Sequence, residues 1–156
     1  MSPEPIQNNP EAQAKPSRTS SLVVRGKVLL IEDDPSVREV CYLVLRREGF
    51  EVLTADSESQ ANQVWQQYSK EICLVVTDVF IPERASGILL ARRYRRDVPR
   101  LPVIVMSGFG VDVVADEAGS SMEAVYLQKP FFPNDLIEAI SLLLPPPPPK
   151  AAQPPI

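Results

Sequence analysis

Residues 27–35 read KVLLIEDDP, and this stretch decides the fold. Val28, Leu29, Leu30 and Ile31 form an unbroken apolar run, the mark of a strand buried on both faces and so of a parallel sheet. Three carboxylates follow at once, Glu32, Asp33 and Asp34, and Pro35 then suits the first turn of a helix. Val37, Val40, Cys41, Val44 and Leu45 recur at helical spacing, and Gly49 supplies the left-handed cap that ends this helix.

The same strand–helix beat continues outward. Val52 and Leu53 start a second strand, and Ser57 caps a helix striped by Ala61, Val64, Trp65 and Tyr68. Cys73–Thr77 is a third strand running into Asp78. A loop with Pro82 and Gly87 leads to a helix carrying Ile88, Leu89, Ala91 and Tyr94. Val103–Met106 is the fourth strand, residues 110–122 a weaker fourth helix, and Ala124–Gln128 the fifth strand. Pro133 and Asn134 open the last helix, with Leu136, Ile137, Ile140, Leu143 and Leu144 on one face, and the prolines after Leu144 stop it. Five βα units predict an α/β fold, a doubly wound five-stranded parallel sheet covered on both faces.

Composition sets the outer limits. The 156 residues suit one domain, expected over 26–144. Residues 1–25, poor in large apolar side chains, and the proline-rich 145–156 are expected to be disordered, and no output domain is expected. The tail should sample polyproline II. A net charge of −4 without a large basic patch argues against nucleic acid as a partner. Arg92, Arg93, Arg95 and Arg96 fall where they complement a helix C-terminus. No apolar run approaches the ~20 residues of a membrane span, and no leader is evident, so a cytoplasmic protein is expected. Cys41 and Cys73 read as buried free thiols. Histidine is absent, which excludes imidazole chemistry within the chain.

In a wound sheet, ligands bind beyond the carboxyl ends of the strands. Glu32, Asp33, Asp34, Asp78, Ser107 and Lys129 all fall there. Crowded carboxylates repel by roughly 4 kcal/mol per pair at ~4 Å and an effective dielectric of 20. Oxygen donors alone select a hard cation such as Mg²⁺. One aspartate can then attack phosphorus to form an acyl phosphate, with metal and lysine stabilising the transferring charge. Each residue also has a plainer reading. Asp34 serves as a helix cap, Asp78 alone could form a turn, and Ser107 and Lys129 could be ordinary surface residues.

Four stretches, VLLIEDDPSVREV, LVVTDVFIPERASG, PVIVMSG and YLQKPF, resemble in order and spacing the signatures of response-regulator receiver domains, stand-alone or attached to hybrid kinases. The resemblance implies a flavodoxin-like (CheY-like) sheet of strand order 2-1-3-4-5. It implies Asp78 as phosphoacceptor, Lys129 and Ser107 as catalytic partners, and Mg²⁺ held by Glu32, Asp33, Asp78 and the backbone carbonyl of Phe80. Ser107 and Tyr126 would be the switch pair. The partners implied are a histidine kinase or histidine phosphotransfer protein. A downstream protein would bind the face of the fourth helix, fifth strand and fifth helix. The catalysis implied is limited to the domain's own aspartyl phosphorylation and dephosphorylation. Glu32 in place of Asp, Ile81 before Pro82 and Gly108 after Ser107 depart from the common pattern without removing a catalytic group.

Two rivals share parts of this pattern. A phosphorylation-independent interaction module of the same fold predicts a degenerate pocket. A haloacid-dehalogenase-type phosphatase wants a second aspartate where Phe80 stands. Phe80 and Phe109 flank the phosphoryl position in the family and would exclude water there, predicting a long-lived acyl phosphate.

Overall fold

The computed structural model describes residues 24–110 and 123–147. The N-terminal segment, the helix expected over 110–122 apart from its first residue, and the tail from 148 lie outside the described residues. The chain order is β1 (Lys27–Ile31), α1 (Pro35–Arg47), β2 (Glu51–Ala55), α2 (Glu58–Tyr68), β3 (Ile72–Asp78), β4 (Phe80–Ile81), β5 (Ala85–Ser86), α3 (Gly87–Asp97), β6 (Val103–Ser107), β7 (Val125–Gln128) and α4 (Pro133–Leu143). A parallel five-stranded sheet runs β2-β1-β3-β6-β7. With the two-residue strands β4 and β5 set aside as a separate hairpin, this is the expected order 2-1-3-4-5.

The buried strands explain the unbroken apolar runs. Leu29, Ile31, Val75, Val103 and Val105 face one core, shared with Ala61 and Trp65 of α2 and Ile88, Leu90, Ala91 and Tyr94 of α3. Val28, Leu30, Leu74, Val76, Ile104 and Met106 face the other, against Cys41, Val44 and Leu45 of α1 and Leu136, Ala139 and Ile140 of α4. Alternation along each strand therefore feeds two cores, one on either face of the sheet.

Helix starts follow the chemistry of their caps. Asp34 accepts from the Ser36 and Val37 amides at 2.8 and 3.1 Å, and these bonds hold its carboxyl below the usual range. Ser57 accepts from the Gln60 amide at 3.3 Å. Ser57→Ala is expected to cost about 1 kcal/mol, read as a lower urea midpoint with an unchanged slope. Gly49 ends α1 with φ +93°, as expected.

Several expectations shift. Val40 and Leu89 are exposed, not core. In α3 the inner face falls on Leu90 along with Ile88, Ala91 and Tyr94. Val40 instead borders a cavity of about 440 Å³ with Ser36, Val37, Lys129, Pro130 and Phe131. Cys73 is only half-buried, while Cys41 is buried and its thiol is pushed up to about 12 by desolvation. The arginines at the end of α3 do more than offset a dipole. Arg93 pairs with Glu58 at 3.0 Å, and Arg95 donates to the Leu101 carbonyl at 3.0 Å and to the Glu123 carbonyl.

Candidate functional site

The carboxyl ends of β1, β3, β6 and β7 deliver the side chains of the site. Glu32 follows β1 and is fully buried, an unusual place for a carboxylate. Its Oε1 accepts from the Asp34 amide at 3.0 Å and its Oε2 from Lys129 Nζ at 2.7 Å. Asp78 ends β3, and its Oδ2 accepts from the same Lys129 Nζ at 2.7 Å. Oxygens of Glu32, Asp33 and Asp78 lie within 4.8 Å of one another. Residues separated by up to 97 positions in sequence thus share one pocket.

Electrostatics set the state of each group. Desolvation pushes the Glu32 carboxyl up, opposed by the Lys129 and Asp34 hydrogen bonds. Burial alone would lower Lys129, but its ion pairs with Asp78 and Glu32 prevail and raise it. The lysine is therefore firmly cationic. Three carboxylates against one ammonium still leave two negative charges uncompensated. An all-oxygen donor set with that excess fits a hard divalent cation.

Local packing explains why Asp78 sits so firmly. A Cβ on Gly87 would come within 1.9 Å of the Asp78 carbonyl oxygen and 2.4 Å of Thr77 Oγ1, so only glycine fits. The Gly87 amide donates to the Val79 carbonyl at 2.8 Å, which ties α3 to the end of β3. The Phe80 amide reaches Asp78 Oδ1 at 3.4 Å. Gly108, by contrast, has open space where a Cβ would go, so alanine there would meet no obstacle.

Ser107 is buried at the end of β6, and its Oγ accepts from the Phe109 amide at 3.0 Å. Asp78 pairs with Met106 in the adjacent register, one residue from Ser107. On β7, Tyr126 pairs with Val105 of β6 and packs, half-buried, against the core shared by α2 and α3. Val105, its partner in the ladder, stands two residues before Ser107 on the same strand. The Phe80 and Phe109 rings, both more than half exposed, meet edge-to-face with centroids 5.6 Å apart beside the pocket.

Sequence reasoning missed Arg38, whose Nη1 donates to the Glu32 carbonyl at 2.9 Å and braces the acidic loop. A signal existed. A cation in the first turns of a helix opposes the dipole, so it calls for a specific partner. The Lys129–Pro130 peptide is cis. The described residues contain no helix long and apolar enough to cross a membrane.

Comparison with known proteins identifies the family. The family model described as the response regulator receiver domain matches residues 28–141. CpdR, a response regulator receiver protein of Brucella abortus, is 30% identical over 118 residues, covering 76% of this chain and 96% of CpdR. The sensor kinase CckA of the same species is 29% identical over 132 residues, covering 85% of this chain and 14% of the kinase. A receiver-domain protein of Clostridium thermocellum superposes with TM-score 0.68 at 30% identity, covering 76% of this chain and 93% of that one. The chain thus spans nearly all of one relative and a small part of another. With that match reaching from the first strand to the last helix, the chain belongs to the response regulator receiver family, the domain of two-component signalling.

Proposed function

We propose that Asp78 accepts a phosphoryl group from a phosphohistidine on a histidine kinase or histidine phosphotransfer protein. The observation that carries this reading is Lys129 Nζ, 2.7 Å from both Glu32 and Asp78 within a three-carboxylate cluster. A carboxylate oxygen of Asp78 attacks phosphorus as the phosphorus–nitrogen bond breaks, and the partner's imidazole leaves with its proton. Lys129 turns its ammonium from the carboxylates to a phosphoryl oxygen. The Ser107 hydroxyl, whose oxygen already accepts from Phe109, keeps its hydrogen to donate to a second. Receiver domains use Mg²⁺, and here Glu32, Asp33, Asp78 and the Phe80 carbonyl would hold it. The ion supplies countercharge to the pocket and to the phosphoryl oxygens.

Phosphorylation then biases a two-state element. Ser107 moves toward the phosphoryl group, Tyr126 follows, and the face that includes β7 and α4 changes its fit to a downstream protein. Free thiols at Cys41 and Cys73 support action in a reducing cytoplasm. The globular unit runs over 26–144, which the extent of the family match supports.

The test is incubation with acetyl phosphate and Mg²⁺ followed by intact mass. One phosphoryl adduct on the wild type, lost in Asp78→Ala, supports the reading. An unmodified wild type would favour a phosphorylation-independent interaction module. The paired Phe80 and Phe109 rings exclude water from the acyl phosphate, so its half-life at neutral pH is expected to exceed about a minute. Phe80→Asn should shorten it, measured by loss of the adduct mass with time. Equal lifetimes would remove the aromatic pair from the account.

A further inference from the structure

The hairpin between Asp78 and α3 is built against local preference. Glu83 (φ 74°) and Arg84 (φ 56°) are consecutive non-glycine residues in the left-handed region. Such backbone persists only where the surroundings over-determine it. Here the ladder is short, with only Phe80–Ser86 and Ile81–Ala85 paired. Ile81 is buried and anchors one strand. The other restraint comes from α2. Ser59 Oγ donates to both carboxylate oxygens of Glu83, at 3.0 and 3.1 Å. This bond joins the strained tip to a helix on the far side of the loop.

We propose that Ser59 and Glu83 form a latch that holds the β4–β5 hairpin closed and so positions Phe80 beside the carboxylate pocket. The inference rests on the phosphoacceptor reading for its functional consequence, but the latch itself is a property of the fold. The hairpin starts two residues after the acceptor. Its first residue offers an amide to Asp78 Oδ1 and a ring to Phe109, and the Gly87 amide that closes it bonds the Val79 carbonyl. Opening the tip loosens all three. Both latch residues are positioning residues, since neither touches the acceptor. Ser59 lies at the second position of α2, where alanine is the better helix former, so its removal separates positioning from stability.

Ser59→Ala, Ser59→Thr and Arg84→Gly are compared with wild type by amide hydrogen exchange, Mg²⁺ titration of the Phe80 amide resonance, and lifetime of the acetyl-phosphate adduct. In Ser59→Ala the Gly87 amide should exchange faster, Mg²⁺ affinity should fall about three- to ten-fold, and the adduct should hydrolyse faster by a similar factor, the reach of one net hydrogen bond. Thermal stability should hold. Ser59→Thr restores all three, because it keeps the hydroxyl. Arg84→Gly keeps the latch, relieves strain and slows exchange. If the wild type takes no adduct while the Gly87 amide still responds to Ser59→Ala, the acceptor reading fails and the latch stands. Wild-type exchange at Gly87 in Ser59→Ala overturns the latch, whatever the fate of the acceptor.

Discussion

Gly87→Ala is expected to lower the unfolding free energy by about 3 kcal/mol, the upper part of the range for overpacking a close contact. The added methyl would sit 1.9 Å from the Asp78 carbonyl oxygen and 3.1 Å from its carbonyl carbon, both backbone atoms. Neither can rotate away, as a flexible side chain could. Relief requires moving the start of α3, which is bound through the Gly87 amide to Val79, or moving the end of β3, which is Asp78, the proposed acceptor. The melting temperature should therefore fall by about 10 °C. Phosphoryl uptake should fall too, because Asp78 is displaced from Lys129. Denaturation and adduct formation measured together check both. A wild-type midpoint would mean that the helix can shift freely and that the contact is not a constraint.

The sequence shows this glycine only as a loop residue, and the contrast shows where legibility ends. β1 and its acids could be read because a doubly buried strand leaves an unbroken apolar run, and the Asp34 cap and Pro35 mark the helix start in the chain itself. Asp78 and Ser107 are legible for the same reason, each standing where a buried strand ends, and Lys129 follows the half-buried edge strand. The fold's topology then brings them together without further information. The hairpin was not legible. Two-residue strands carry no periodicity, and Glu83 and Arg84 adopt backbone that their own preferences resist. The Ser59–Glu83 and Arg38–Glu32 bonds join residues whose roles appear only once α1 and α2 are packed. In the α3 stripe only one position differs, because Leu89 and Leu90 are adjacent and equally apolar, and only packing assigns the inner one.

Lys129→Met tests the pocket most directly, because it removes the one cation that joins Glu32 and Asp78 while keeping the bulk of the stem. Glu32 would remain fully buried with only the Asp34 amide on its carboxylate, beside Asp78 and Asp33. Breaking a buried pair on one side costs about 3–5 kcal/mol when the remaining charge cannot adjust. Glu32 can adjust by taking up a proton. Its carboxyl is already raised by burial, and losing the lysine raises it further. A carboxyl raised in the folded state contributes stability that is fully present below its unfolded pKa of about 4.3 and is lost as pH rises through the folded value. The variant should thus approach wild-type stability near pH 4 and fall increasingly behind toward neutral pH. Mg²⁺ should restore more stability to the variant than it adds to the wild type, since no ammonium then offsets the clustered carboxylates. Adduct formation should slow by about two to three orders of magnitude, as when one preorganised donor to a developing charge is removed. Urea midpoints across pH, with and without Mg²⁺, read the stability arm, and intact mass reads the transfer. A penalty that ignores both pH and Mg²⁺ would mean that Lys129 serves packing alone, and the charge account of this pocket would fall with it.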